Sequence, residues 1–247
     1  SLAQEKNLPY HQYMDVETIE RLAENNPFSN IEQINKPTLL GICDIMLTHI
    51  AKVPIPDKSW FLKDEEYETI HWIRHLYRVG LYGLVLWVLN KLSDKDLDCL
   101  IRSCVLHDIR RLHDKDDKEH GNRCAIWLRE NHHQIILNIN EDELIESISY
   151  IISMHDLPWG EIPNDVNLEN NFKLLSLLKT CDALDRYRLP KLKRWINDEF
   201  LEYKPSLEYK MFAHQLVVES EKIYLQESNW VASIKKALLV LRDKYAQ

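Results

Sequence analysis

Apolar residues recur at intervals of three and four along most of the chain, and the period-two alternation of half-buried strands is almost absent. This pattern predicts an all-α fold. The longest apolar run, residues 79–89, is far shorter than the roughly 20 residues needed to cross a bilayer, so we expect no membrane partner. The predicted helices cover residues 16–24, 37–51, 64–91, 94–109, 118–131, 141–155, 168–188, 190–201, 205–226 and 230–245.

Connections rich in Pro, Asn and Asp near 53–57 and 157–167 separate groups of these helices. We therefore expect an N-terminal helical extension over residues 1–55 and one larger domain over 56–247. The amphipathic C-terminal helices either pack on that domain's core or form a homodimer face. Their apolar residues are Leu216, Val217, Ile223, Leu238, Leu239 and Leu241.

Composition narrows the functional class. A formal net charge of -8 argues against general nucleic-acid binding, because non-specific affinity for phosphate backbones comes mainly from clustered Lys and Arg. The five cysteines are odd in number and show no C-x-x-C spacing. They indicate reduced core thiols and hence a cytoplasmic protein.

Histidine and aspartate occur at helical positions that otherwise look buried. His107 and Asp108 end the apolar run 104–106, and Asp182 lies in the apolar stretch 177–184. A buried carboxylate or imidazole is costly without a partner, and a metal ion would satisfy both groups. The alternative for the His-Asp pair is a helix end that faces solvent.

A second group of polar residues shares one helix face, since His71, His75 and Arg78 follow one another at spacings of four and three. That face can present imidazoles and a cation together. His71 can line a substrate pocket, donate to a phosphate oxygen, or only pack.

The ordered set of His75, His107–Asp108 and Asp182 resembles the H…HD…D pattern of the HD-domain superfamily of metal-dependent phosphohydrolases. The surroundings are similar too. Segment 71–79 resembles the family's first helix, in which a histidine is followed three residues later by Arg-Val, and segments 104–111 and 179–188 resemble its second and closing helices. The resemblance covers about residues 65–190.

This resemblance implies an HD-domain helical bundle with additional N- and C-terminal helices, in which 56–247 is the catalytic domain. It implies that one divalent ion, such as Mn, Fe, Mg, Co or Ni, is bound by the four residues of the motif. In dinuclear relatives a second ion is held by histidines in the places of His120 and His155, and the motif aspartate, here Asp108, bridges the two ions. The alternative is a single ion with His120 and His155 as helix-terminal residues.

The sequence departs from the family's common His-Asp-x-Gly-Lys in having Ile109-Arg110-Arg111. Arginine keeps the charge and adds a fork that matches phosphate, but it does not titrate near neutral pH. Asp108 and Arg111 are therefore the candidate catalytic residues, and Asp185 is expected to orient a ligand. The candidate substrate-binding residues are Arg78, Arg111, His71 and Arg188. Each arginine is also explicable as a surface ion-pair residue, and this alternative weighs more for Arg188 than for Arg78 and Arg111.

The resulting hypothesis is hydrolysis of a nucleotide or small phosphoester by a metal-activated water. Two alternatives stay open from the sequence. One is a di-iron oxygenase of HD-like fold, because imidazole and carboxylate ligands also suit iron. The other is a non-catalytic HD-fold protein that binds a nucleotide or a partner.

Overall fold

The computed structural model describes residues 14–63, 72–113, 117–133 and 142–247. Regular structure in these ranges is helical, with no strand, and the all-α prediction is confirmed. We number the α-helices of the described ranges in chain order. Helices α1 to α9 run Val16–Glu24, Lys36–His49, Ile73–Asn90, Asp94–Leu106, His120–Asn131, Asp142–Met154, Val166–Leu184, Leu207–Glu227 and Trp230–Ala246.

Most helix boundaries follow the sequence prediction closely, with three exceptions. The predicted helix at 168–188 ends as an α-helix at Leu184 and continues as the tighter 3-10 turn Asp185–Arg188. The predicted helix at 190–201 is wrong, because this segment forms only short 3-10 turns at Leu192–Arg194 and Asp198–Phe200. The predicted helix at 64–91 is also wrong at residue 72, because the α-helix starts at Ile73 and Trp72 precedes it with a non-helical backbone; the predicted start at residue 64 lies outside the described residues.

Helix α3 crosses the centre of the core. Every residue from Ile73 to Leu86 is buried, as expected of a helix that is apolar on nearly all sides. Its neighbours approach closely at two glycines. A Cβ at Gly80 would lie 2.7 Å from Cγ1 of Val53, and one at Gly83 would lie 2.9 Å from Cδ1 of Ile101.

The other central helices are arranged so that several of their ends meet beside α3. Helix α3 packs against α4 and α7, α4 packs against α6 and α7, and α5 pairs with α6. A capping box between Ser93 and Asp96 fixes the start of α4. The end of α4, the start of α5 and the ends of α6 and α7 carry the candidate ligands.

The C-terminal helices α8 and α9 pack on each other, α9 also packs on α2, and α8 contacts α1 and the 3-10 turn Asp185–Arg188. Leu39 of α2, Leu216 of α8 and Leu238 of α9 are fully buried in the same core as α3. Residues on both sides of position 55 therefore share one core, while the boundary itself stays a prediction. None of the described helices is long and apolar enough to cross a bilayer.

Candidate metal centre

The six candidate ligands lie at helix ends or in terminal turns. His75 lies in the first turn of α3, and Asp182 lies in the last turn of α7. His107 and Asp108 directly follow α4, His120 begins α5, and His155 directly follows α6. His107 is 0% exposed and Asp108 is 5% exposed. The alternative of a solvent-facing His-Asp pair is therefore wrong.

Three side chains of the motif converge on the Nε2 atom of His75. Nε2 of His107 lies 3.3 Å from it, Oδ1 of Asp182 lies 3.3 Å from it, and Oδ2 of Asp108 lies 3.9 Å from it. Oδ1 of Asp182 is also 3.7 Å from Nε2 of His107. We call these four residues the first ligand group.

A second group forms on the other side of Asp108. Nε2 of His120 lies 3.1 Å from Nε2 of His155. Oδ1 of Asp108 lies 2.9 Å from Nε2 of His120 and 3.6 Å from Nε2 of His155. Asp108, His120 and His155 are the second ligand group, so the two groups share Asp108.

The opposite ring nitrogens fix the tautomers. Nδ1 of His107 donates to the carbonyl of Cys104 at 2.8 Å, and Nδ1 of His155 donates to the carbonyl of Ile152 at 2.6 Å. Nδ1 of His120 donates to the carbonyl of Asp117. A carbonyl oxygen only accepts, so each Nδ1 carries the hydrogen and each neutral ring presents a lone pair at Nε2.

His75 is oriented by a carboxylate instead. Its Nδ1 donates to Oδ2 of Asp185 at 2.8 Å. Burial raises the pKa of Asp185, but the charge of Arg78 and the hydrogen bond from His75 have the larger effect and lower this pKa to about 2. An ionised Asp185 can only accept, so His75 also presents its Nε2 lone pair to the first ligand group.

Facing lone pairs explain why these groups fit a cation. Two neutral imidazoles with Nε2 atoms at 3.3 Å or 3.1 Å cannot hydrogen-bond to each other. A divalent ion between them accepts both lone pairs, and Asp108 and Asp182 offset its charge. His75, His107 and Asp108 offer ligand atoms within 4.8 Å of one another, as do Asp108, His120 and His155.

The electrostatics keep both carboxylates ionised. Burial raises the pKa of Asp108, but the charges of Arg111, His107 and His120 hold it well below its usual value. Burial likewise raises the pKa of Asp182, and the nearby imidazoles of His107 and His75 outweigh that effect and hold it well below its usual value. Both carboxylates are therefore available as anionic ligands near neutral pH.

The histidine pKa values differ between positions. Burial lowers the pKa of His107, but the carboxylates of Asp108 and Asp182 raise it above its usual value. The same balance, dominated by Asp108, raises the pKa of His120. Burial lowers the pKa of His155. Without a metal, His107 and His120 are the rings whose protonation the neighbouring carboxylates favour.

The candidate arginines take different positions. Arg111 is partly exposed and its Nη1 lies 3.2 Å from Oδ2 of Asp108. Arg188 is 4% exposed and donates from Nη1 to the carbonyl of Asp185 at 3.0 Å. Its Nε is buried and has no hydrogen-bond partner among the described residues. Both guanidinium groups therefore lie close to the candidate metal centre, where they could contact an anion bound there.

Arg78 does not fit that role. It is fully buried, and its Nε donates to Oδ1 of Asp185 at 2.6 Å. Its Nη2 donates to Oδ2 of Asp185 at 3.2 Å, and its Nη1 donates to Glu221 at 2.7 Å. Every guanidinium nitrogen has an acceptor, so the geometry argues against substrate contact by Arg78. His71, another candidate, lies outside the described residues.

Two further polar residues of the candidate metal centre, Asp156 and Lys179, were not predicted from the sequence. Oδ2 of Asp156 lies 3.3 Å from Nδ1 of His120. Lys179 donates to the carbonyls of His155 at 2.8 Å and Leu157 at 2.6 Å. Burial lowers the pKa of Lys179 to about 8. Asp156 follows a candidate ligand and Lys179 precedes Asp182 by one turn, and that proximity was the only signal.

Gly121 allows the second ligand group to assemble. A Cβ at this position would lie 2.5 Å from the carbonyl oxygen of Ile152 and 3.2 Å from Nδ1 of His155. This carbonyl is the acceptor that orients His155. The start of α5 can therefore approach the end of α6 only because residue 121 has no side chain.

The geometry offers a cation two buried, acidic sets of inward-facing nitrogen and oxygen donors that share one carboxylate. Asp182, with a side chain 27% exposed, and Arg111, at 19%, are the site residues most open to solvent. In comparisons with known proteins, no family model matches the chain, and no curated protein or solved structure matches it.

Proposed function

We propose that the protein is a metal-dependent phosphohydrolase of the HD-domain type, acting on a nucleotide or a small phosphoester. The observation that carries this proposal is the sharing of Asp108. Its Oδ2 faces Nε2 of His75, while its Oδ1 faces the Nε2 atoms of three further imidazoles, those of His107, His120 and His155. The order of these residues in the chain is that of the superfamily motif.

The ligand groups fit one or two divalent ions. His75, His107, Asp108 and Asp182 would hold the first ion, and Asp108, His120 and His155 would hold the second. A divalent ion at such a site supplies Lewis-acid activation of water and neutralises phosphoryl charge. The second group has fewer protein ligands among the described residues, so more coordination positions of an ion bound there would be left for water or substrate.

The protein's own groups account for anion binding. Arg111 and Arg188 place positive charge beside Asp108 and Asp185 respectively. A guanidinium fork matches two phosphate oxygens, and hydrogen bonds between ionised partners are stronger than neutral ones. Since Arg111 does not titrate near neutral pH, we assign it to substrate charge and orientation and not to proton transfer.

The proposal extends to the protein's surroundings. A phosphorylated small molecule is the expected partner, because divalent ions at the ligand groups and these two arginines would together offset phosphoryl charge. The five cysteines are all buried and unpaired, and buried thiols favour a cytoplasmic location over an oxidising compartment.

The decisive experiment measures phosphate release from a panel of nucleotides and generic phosphoesters, with Mn²⁺, Mg²⁺, Fe²⁺, Co²⁺ or Ni²⁺ added to metal-stripped protein. Wild type is compared with Asp108→Ala and with Asp198→Ala. Asp198 pairs with Lys210 away from the ligand groups, so its loss controls for removal of an aspartate.

Metal-dependent turnover in wild type and Asp198→Ala, but not in Asp108→Ala, is the expected result. If wild type binds metal and yet releases no phosphate from any substrate, simple phosphohydrolysis is excluded for this panel. Oxygen consumption by the iron-loaded protein then tests the oxygenase alternative.

A further inference from the structure

Helix α8 carries a buried carboxylate, Glu221, that lies outside the part of the chain resembling the HD superfamily. Glu221 is 0% exposed. Nε of Arg74 lies 3.1 Å from both of its carboxylate oxygens, and Nη1 of Arg78 lies 2.7 Å from Oε1. An anion at this depth is costly unless it is paired, and both partners come from α3.

The contacts continue without a break to a candidate metal ligand. Arg78 donates from Nε to Oδ1 of Asp185 at 2.6 Å, and Asp185 accepts from Nδ1 of His75 at 2.8 Å. Nε2 of the same ring faces the first ligand group. Three short polar contacts thus connect a C-terminal helix with the ion-binding side of His75.

We propose that Glu221 is a positioning residue for the first metal: it holds Arg78 in place and balances its charge, so that Asp185 can orient and polarise His75. This inference rests on the proposed metal centre. It assigns the C-terminal helix α8 to the support of that centre, in addition to its packing role.

The charges around Arg78 predict in which direction a substitution changes metal affinity. Arg74 and Arg78 carry two positive charges, and Glu221 and Asp185 carry two negative ones. Oδ2 of Asp185 is shared, since it lies 2.8 Å from Nδ1 of His75 and 3.2 Å from Nη2 of Arg78. Arg188 adds a weaker contact at 3.7 Å.

Loss of the Glu221 charge leaves Arg78 with Asp185 as its remaining close anion. Asp185 is then drawn towards Arg78. Because its hydrogen bond with His75 weakens, Nε2 of His75 becomes a weaker metal ligand. Loss of Arg74 removes a positive charge from the group behind His75, which does not weaken cation binding. The two substitutions break the same ion pair but act on metal affinity in different directions.

The test is a titration of metal-stripped protein with Mn²⁺ and with Co²⁺, followed by calorimetry and by the visible spectrum of bound Co²⁺. We expect Glu221→Gln to weaken the tighter binding step about tenfold, the lower end for loss of a residue that supports a metal ligand. Arg74→Gln should bind no more weakly than wild type. The double variant R74Q/E221Q restores the wild-type net charge of the group and should recover most of the lost affinity.

Phe212→Leu is the control for stability, because Phe212 is fully buried on the same helix and belongs to the apolar core. It should lower the melting temperature and leave metal affinity unchanged. If all four variants lose affinity in proportion to their loss of stability, Glu221 is only structural and the inference is overturned.

Two further outcomes are separated by the design. If wild type itself binds neither ion, the proposed metal centre fails, independently of Glu221. If Glu221→Gln does not fold, Glu221→Asp keeps the charge but withdraws the carboxylate from Arg78. Metal affinity should then fall in Glu221→Asp and not in Arg74→Gln, and equal affinities in the two would contradict the inference.

Discussion

Oδ1 of Asp108 lies 2.9 Å from Nε2 of His120, while Oδ2 of the same carboxylate faces Nε2 of His75 at 3.9 Å. One side chain, 5% exposed, therefore serves both ligand groups. No other residue of the described site has this position, which makes Asp108 the point where one-metal and two-metal behaviour can be separated.

Asp108→Asn should abolish binding at both groups, because it removes the shared negative charge and presents an amide donor to one imidazole pair. His155→Gln should remove binding at the second group only, since Nε2 of His155 faces the shared Asp108 at 3.6 Å and its contact with His107 is between the two rings. Metal analysis of dialysed protein measures the stoichiometry. Two ions in wild type, one in His155→Gln and none in Asp108→Asn are expected; one ion in wild type with no change in His155→Gln would contradict a dinuclear centre.

Gly121→Ala should impair the second ligand group selectively. The new methyl would meet the carbonyl oxygen of Ile152 at 2.5 Å, and backbone cannot yield as a flexible side chain does, so the ends of α5 and α6 must separate. Overpacking of this kind costs about 1–3 kcal/mol. We expect one bound ion in place of two and a lower melting temperature.

Gly41→Ala is the matched control for that substitution. Gly41 lies inside α2, and a Cβ there meets nothing within 4 Å. Replacing glycine by alanine in a helix interior stabilises by up to about 1 kcal/mol. A higher melting temperature with unchanged metal content is expected, and metal loss in both variants would show that Gly121 has no specific role.

The pKa of Asp185 gives a pH-dependent prediction for the metal-free protein. Burial raises this pKa, but Arg78 and His75 lower it from 3.8 to about 2. The stabilisation by Asp185 is therefore complete above about pH 4 and is lost as the pH falls through about 2. The shift of nearly two units corresponds to about 2 kcal/mol.

Asp185→Asn leaves Arg78 without its closest anion, and breaking a buried ion pair typically costs about 3–5 kcal/mol. We expect denaturant unfolding at pH 7, with chelator present, to show a loss in this range, and the difference from wild type should narrow between about pH 4 and pH 2. Asp44→Asn, in the exposed pair with Arg242, should change stability by less than about 1 kcal/mol throughout. A gap between wild type and Asp185→Asn that stays constant down to pH 2 would contradict the assignment.

The sequence predicted those elements whose apolar periodicity and caps agree. Helix α1 begins and ends at the predicted residues, with Asp15 accepting a hydrogen bond from the amide of Thr18 as its N-cap. The helix predicted after Pro190 does not form because residues 191–194 are exposed, so a helix there would gain no packing energy. Side chains fix its path instead, since Arg186 donates to the carbonyl of Arg194 and Trp195 to that of Leu189.

The residues of the candidate site could be predicted from the sequence where they belong to local motifs. His75, Asp108 and Asp182 stood out because a polar group in an apolar helix needs a partner. Glu221 did not, because a glutamate in a helix with exposed positions is usually a solvated residue. Only its contacts with Arg74 and Arg78 of α3 make it part of a buried ion pair, and no local pattern encodes such a long-range pairing.

Arg111 provides the test of substrate charge. Its Nη1 lies 3.2 Å from Oδ2 of Asp108 while the side chain stays 19% exposed, so the guanidinium can contact a bound anion without leaving the site. Arg111→Gln should lower kcat/KM about 10- to 100-fold, the equivalent of one hydrogen bond to a charged group. Arg111→Lys should retain part of the activity, because it keeps the charge but loses the fork. Steady-state kinetics and metal analysis are measured together, with Arg242→Gln as an exposed arginine control. Retention of both metal and full kcat/KM in Arg111→Gln would remove Arg111 from the substrate site, whereas loss of metal would show that it acts by supporting Asp108.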